Sequence, residues 1–403
     1  MSMKCLVLIF VLVLTMPSLV WADFDDGLRA YDAGDYATAI EQFRRAADQG
    51  LAVAQHNLGL MYDQGQGVAE NDIEAVKWYR RAAEQGDARA ETSLGAMYYK
   101  GQGVAQDDAE AAKWFGHAAE QGYARAQFLL GLMYDDGRGV AQDKTKAANW
   151  YRRAAEQGDE GAQVVLGGMY DEGQGVAQDY AEAAKWYRLA AEQGNAGAQL
   201  LLGDMYAKGK GLAQDDGEAS KWFRRAAEQG HVEAQFVLGI RYMNGLGLAQ
   251  DDGEASKWVR RAAKQGHVEA QSVLGYMYSA GRGVAENYVE AYRWTSLASA
   301  TGHARSRRLL KALKGEMTPT QIAEGQRLAA GGKIGPNVAG WDAVSRPDIK
   351  RIQQALSHLG FDVGPIDGIA GDRTKSALRT FQRVRELPVG EPDPATLEAL
   401  GIR

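Results

Sequence analysis

Cysteine is all but missing from this chain. Its one cysteine in 403 residues is Cys5, inside an apolar N-terminal run, so neither a disulfide framework nor thiolate chemistry is available downstream. An excess of positive charge is missing too. The formal net charge of −6 leaves no electrostatic footprint for nucleic acid. After the first 22 residues no apolar run is long enough to span a bilayer. Catalytic signatures are absent as well: there is no H-E-x-x-H, no G-x-S-x-G and no phosphate-binding glycine loop. These absences lead to the expectation that the protein is not an enzyme and carries no cofactor.

What is present is one sentence written repeatedly. The stretch 195–230, NAGAQLLLGDMYAKGKGLAQDDGEASKWFRRAAEQG, returns at a shift of 36 residues in either direction, with Gly86, Gly122, Gly158, Gly194, Gly230, Gly266 and Gly302 closing successive units. Trp78 to Trp294 and Tyr62 to Tyr278 recur at the same interval. A fixed period of this size means a solenoid, in which each unit buries its apolar face against its neighbours. Within a unit, Ala198, Leu202 and Tyr206 share one stripe of a first helix. A G-x-G pair such as Gly209 and Gly211 ends that helix. A second helix opens at Asn71, Asp107, Asp143, Asp179, Asp215, Asp251 or Asn287, with Glu three residues on except at Lys146. That spacing predicts a capping box. The tryptophan and tyrosine ladders are expected to be core.

The pattern A-x-x-x-L-G-x-M-Y…G-x-G-V-A-x-D…E-A-x-K-W-Y-x-x-A-A-E-Q-G resembles the Sel-one-like repeat, a relative of the tetratricopeptide repeat. The likeness covers seven units over 51–302 and implies an α-solenoid whose concave surface binds other proteins. Residues 23–50 match half of the pattern and read as a tetratricopeptide-like N-terminal cap. Residues 303–330 read as a C-terminal cap, with a new helix starting at Thr318-Pro319-Thr320-Gln321.

The flanking segments differ. Residues 1–22 carry Lys4, an apolar run from Leu6 to Leu14, Pro17 and a small-residue site ending at Ala22; they read as a signal peptide cleaved near Ala22/Asp23, which places the mature protein in the periplasm. An uncleaved anchor is the competing reading. Residues 331–346 form a Gly/Pro linker. Residues 347–403 place Ile349, Ile352, Leu356 and Leu359 on one stripe, Ala377, Leu378, Phe381 and Val384 on another, and start a third helix at Asp393-Pro394. QQALSHLGF…DGIAGDRTKSALRTFQ…LPVGEPDPATLEAL resembles the peptidoglycan-binding domain of the first type found on many cell-wall hydrolases, with VGEPD slightly shorter than is usual there. The expected fold is thus all-α: a solenoid of 36-residue helix-turn-helix repeats and a small C-terminal three-helix domain.

Two candidate surfaces follow. In the first helices, the side opposite the core stripe reads His56, Thr92, Phe128, Val164, Leu200, Phe236, Ser272 along the repeats, with Ile240, Met243 and Tyr276 alongside. A contiguous apolar strip marks a partner surface, while packing against a neighbouring helix would explain it equally. In the small domain, Lys375, Arg379 and Arg383 recur every four residues and could meet stem-peptide carboxylates, or form an ordinary solvated face. Together with Asp367, Gly368 and Arg373 they are the candidate peptidoglycan contacts. His231, His267 and His303 lie one repeat apart, about 8–10 Å for packed helices, too far to share a metal with bonds of about 2 Å. The expected function is a non-catalytic periplasmic adaptor that anchors to peptidoglycan and holds an envelope protein. A targeting or regulatory subunit of a wall hydrolase, or such a hydrolase itself, are the alternatives.

Overall fold

The structure is a computed structural model that describes residues 20–331, 346–359, 361–367, 369–384, 392 and 394–402. The leader up to residue 19, most of the linker, and nearly all of VGEPD lie outside these. The chain divides into two compact units at Asp215/Asp216, and each is all helix among the described residues.

In the first unit, α1 (20–32) and α2 (Tyr36–Asp48) precede helix pairs of the repeats. First helices are α3 (Ala52–Gln64), α5 (Ala88–Lys100), α7 (Ala124–Asp136), α9 (Glu160–Glu172) and α11 (Ala196–Lys208). Second helices are α4 (Asp72–Ala83), α6 (Asp108–Glu120), α8 (Lys144–Glu156) and α10 (Tyr180–Glu192). The second unit continues the alternation with α12 (Asp216–Glu228), α13 (Val232–Asn244), α14 (Asp252–Lys264), α15 (Val268–Ala280), α16 (Tyr288–Ala300), α17 (Ala304–Glu316) and α18 (Pro319–Gly331). It also holds the small domain: α19 (Arg346–His358), α20 (Asp372–Val384) and α21 (Pro394–Ala399).

Each core segment is made by the second helix of one repeat and the first helix of the next. Ala147, Ala148, Tyr151, Ala154 and Ala155 of α8 bury against Ala162, Leu166 and Met169 of α9, and Trp186 of α10 closes the cluster. The alanine columns let helices approach closely, and one glycine per repeat lets an aromatic in. A Cβ on Gly131 would stand 2.7 Å from the Tyr151 ring. The tryptophans are accordingly core or nearly so, with Trp186 and Trp294 buried. The tyrosine ladder is not fully buried: Tyr62, Tyr98, Tyr134 and Tyr170 are half-buried, and the hydroxyls of Tyr62, Tyr98 and Tyr170 accept from arginines, Tyr170 from Arg152 at 2.8 Å. The deepest rings belong instead to Tyr79, Phe115 and Tyr151, next to each tryptophan.

The G-x-G pair does two different jobs. Gly137 is the left-handed C-cap of α7, φ 70°, with its N–H on the Met133 carbonyl. Gly139 presses against the preceding repeat, where a Cβ would come within 1.9 Å of the Asp108 carbonyl. At the second helices, Asn71 and Asp143 accept from the N–H three residues on, as expected. At Asn71 the reciprocal arm of the capping box is not made. The Asn71 N–H donates to the Tyr62 carbonyl, and Glu74 pairs with Lys77 at 2.5 Å instead, because the preceding helix already offers the cap an acceptor. A reciprocal box does occur at Thr318 and Gln321 in α18.

A polar seam joins the repeats of the first unit. The buried Gln127 donates to the Ala119 carbonyl at 3.1 Å and accepts from Gln157 at 2.8 Å; Gln163 and Gln193 repeat the arrangement. These bonds give the last-turn carbonyls of second helices, already bonded to the Gly122 and Gly158 N–H groups, a second donor from the next repeat.

The small domain has its own core of Ile349, Ile352, Leu356, Val363, Ala377, Leu378, Phe381 and Leu400. Leu359, expected on the buried stripe of α19, is 49% exposed, because it falls where that helix ends.

Candidate functional site

The apolar strip is real, but it is rotated. In α7 the buried arc includes Gln127 and Gly131 besides Ala126, Leu130 and Met133, so it is wider than an Ala/Leu/Tyr stripe. Phe128 falls on its edge. Its ring lies 5.7 Å from Tyr151 and against the backbone of Gly161 in α9, with the Arg125 guanidinium 5.3 Å above it. At the same position Thr92 and Ser272 are buried, and Val164 and Leu200 are half-buried. Phe236 stacks on His267 with ring centroids 4.6 Å apart. This row therefore seals neighbouring repeats. Met243 is corrected outright: at 8% exposure it belongs to the core with Val259 and Leu274. Ile240 is half-buried and Tyr276 is 41% exposed.

Open apolar surface comes from Leu129, one residue beyond the Phe128 row, and from Leu132, which stands in the expected row of Ile240 and Tyr276. In the first unit Ser93, Leu129 and Leu132 face a hollow of about 320 Å³ between α5 and α7, and Leu201 is exposed on α11. Reading each unit against the others marks positions that vary, though only the packing makes a hollow of them. Arg125 replaces Gly161 and Gly197, Leu132 replaces Ala96 and Gly168, and Tyr99 replaces Asp63, Asp135 and Asp171.

The three histidines cap helices. Nδ1 of His231, His267 and His303 accepts from the backbone N–H of Ala234, Ala270 and Ser306. His267 also reaches Glu233 at 2.9 Å. Among the described residues no group of three or more His, Cys, Asp or Glu side chains could hold a metal ion, and no helix is long and apolar enough to cross a membrane.

In the small domain a buried polar knot shapes the loop between α19 and α20. Gln353 donates to the carbonyls of Pro365 and Ile369 at 2.9 and 3.0 Å. Thr374 donates to the Val363 carbonyl at 3.0 Å. Asp367 Oδ1 accepts from the Ile369 N–H at 2.8 Å, so one carboxylate oxygen of this candidate contact is engaged in the turn. The knot leaves Ile366 and Ile369, 40% and 52% exposed, on the loop surface. Arg373 and Arg379 are exposed and Lys375 is half-buried; Arg373 pairs with Asp362 at 3.7 Å in the open, which contributes little. Gly368 and the Arg383 side chain lie outside the described residues.

Comparison with known proteins adds the following. The Sel1 repeat model matches eight segments, 26–51, 52–87, 88–123, 124–159, 161–195, 196–231, 232–267 and 268–303; the first falls on the stretch read as a cap. The peptidoglycan binding domain model matches 345–400. A Sel1 repeat protein of known structure from Oxalobacter formigenes is 35% identical, covers 73% of this chain and 87% of its own, and overlays with a TM-score of 0.59. A protective antigen of uropathogenic Escherichia coli displaying an SLR fold is 32% identical over 79% of this chain and 85% of its own, with a TM-score of 0.41. A curated protein of Rhizobium meliloti (strain 1021), described as an exopolysaccharide production negative regulator, is 43% identical over 63 residues, which is 16% of this chain. The match spans only 24% of that relative's length.

Proposed function

The chain belongs to the Sel1 repeat family, and from that premise we propose that it is an exported, non-catalytic adaptor, held on peptidoglycan by its C-terminal domain while the repeats grip an envelope protein. The observation that carries the reading is the pairing of two modules on one chain: interaction repeats over 26–303 and a peptidoglycan-binding-type domain over 345–400. The apolar N-terminal run with Pro17 and Ala22 supports export to the periplasm. Anchoring one module to the wall raises the effective concentration of whatever the other module holds, which strengthens binding without new contacts. The absence of nucleophile and metal motifs in the sequence supports an adaptor over a hydrolase.

The test is sedimentation with purified sacculi. The full chain is expected to pellet with them, and a chain ending at Gly331 to stay in solution while still folded by circular dichroism. If both stay in solution, wall anchoring is wrong. Release of soluble muropeptides by the purified protein alone would replace the adaptor reading with the hydrolase one.

A further inference from the structure

We propose that the hollow between α5 and α7 is a peptide-binding site, and that it takes a bulky apolar side chain with a carboxylate on the neighbouring residue. The inference rests on the adaptor reading and gives it a site and a ligand class.

The floor is apolar: Ala96, Leu129 and Leu132, reaching down to Phe115 and Met133. Its volume of about 320 Å³ is at the small end of the range of ligand pockets, room for one large side chain and its flanking backbone. One wall is the Tyr99 ring, held in place by the Arg138 guanidinium stacked 3.9 Å from its centroid. Arg138 is in turn fixed by two bonds to Asp108, at 2.9 and 3.1 Å. The wall is therefore rigid before any ligand arrives, which lowers the ordering cost of binding.

Charge decides what accompanies the apolar group. At the C-terminal ends of the two helices Lys100 and Asp136 both line the hollow and cancel in sign, and Arg138 is paired with Asp108. At the opposite end Arg125, in the first turn of α7, is exposed, lies over the Phe128 ring and makes no ion pair among the described residues. Beside it on α5 is the Ser93 hydroxyl, 3.4 Å from His56 Nε2. An unpaired guanidinium with a hydroxyl donor at the rim of an apolar hollow is complementary to a carboxylate. The corresponding places in other repeats lack this combination. Position 125 is Gly161 and Gly197 in the next two units and Glu233 and Glu269 beyond; the preceding unit has Arg89 there, but that guanidinium is paired with Asp87 at 3.2 Å, so the repeats that share the fold do not share the site.

The probe is a fluorescein-labelled, amidated Gly-Ser-Phe-Asp-Ser-Gly peptide, titrated into the full-length protein by fluorescence polarisation beside the Asn-for-Asp and Ala-for-Phe peptides. The Phe-Asp peptide is expected to bind at least tenfold more tightly than either control. Arg125→Glu and Leu132→Asp place there residues that sister repeats already carry as Glu233 and Asp204; because Leu132 also packs against the α8–α9 core, binding is read only from variants whose circular dichroism and thermal midpoint match wild type. Arg125→Glu should abolish the preference for Asp over Asn, and Leu132→Asp should abolish binding. Equal binding of the three peptides, no binding of any, or an Arg125→Glu protein that keeps its preference would overturn the site. Capture of an envelope protein equally by wild type and both variants would also overturn it while leaving the adaptor reading intact.

Discussion

At the level of the single residue, Glu91 is the departure with a measurable consequence. It occupies the position of Gln55, Gln127 and Gln163 in the polar seam. It accepts from Gln121 at 2.8 Å, but a carboxylate cannot make the donation to a neighbouring carbonyl that Gln127 makes. Burial first, and the nearby Asp87 charge after it, push its pKa above the ordinary 4.5, against the pull of His117. A raised folded-state pKa means stability that is complete below about 4.5 and is lost as pH rises through the higher folded value. Glu91→Gln is therefore expected to raise the urea midpoint at pH 8 and to leave it unchanged at pH 4. Equal gains at both pH values would show that charge is not the cause. Two aromatic positions make a second comparison. Tyr151→Ala should cost roughly 3–5 kcal/mol, as a fully buried ring does. Phe128→Ser, at the half-buried seam, should cost about half as much; denaturant unfolding of the two variants ranks them.

The same residues show how far sequence reading reached. The Trp, Ala, Leu and Met positions were legible because burial recurs every unit. The order of depth among neighbouring aromatics was not: the rows of Tyr62 and Trp78 recur unchanged, while the deepest row, that of Tyr79, varies to Phe115 and even to Val259 and Thr295. Only packing distinguishes a ring that fills the space over Gly59 from one whose hydroxyl reaches Arg44.

At the level of the helix, the arginine–tyrosine ladder has a gap. Arg80, Arg152 and Arg188 bond to the tyrosine 18 residues on, but Gly116 stands where α6 would carry the arginine for Tyr134. A Cβ there meets nothing within 4 Å. Gly116→Arg should stabilise by about 1 kcal/mol from helix propensity alone, with a further small gain if the bond to Tyr134 forms. A fall in thermal midpoint would contradict this. The loops give the opposite expectation. Gly139→Ala puts a methyl onto the Asp108 carbonyl as well as straining a left-handed backbone, so it should destabilise more than Gly137→Ala, which meets only the Gln142 side chain at 3.0 Å and backbone atoms further off. Thermal melts of the pair test whether the second glycine is there for contact between repeats rather than for the turn.

At the level of the whole molecule, export and wall binding make separable predictions. N-terminal sequencing of protein recovered from the envelope should begin at or near Asp23; an intact Met1 there would favour a retained anchor. If electrostatics to stem-peptide carboxylates hold the small domain on the wall, reversing both Lys375 and Arg379 should weaken sedimentation with sacculi and flatten its dependence on salt. If it weakens nothing, the exposed Ile366 and Ile369 of the loop become the surface to test.

The all-α class, the 36-residue period, the helix starts and the likeness to two families were all written in the sequence. Each is a local or strictly periodic property that single residues report on their own: a cap needs one Asp, a turn needs one Gly. Which face of the first helix stays open was decided only in three dimensions. The buried arc widened to take in Gln127 and Gly131, moving Phe128 into the seam and Met243 into the core and leaving Leu129 and Leu132 facing the hollow. A helical wheel knows the angle of each side chain about its own axis. It does not know from how many directions neighbouring helices press on that axis, and in a solenoid they press from more than one side.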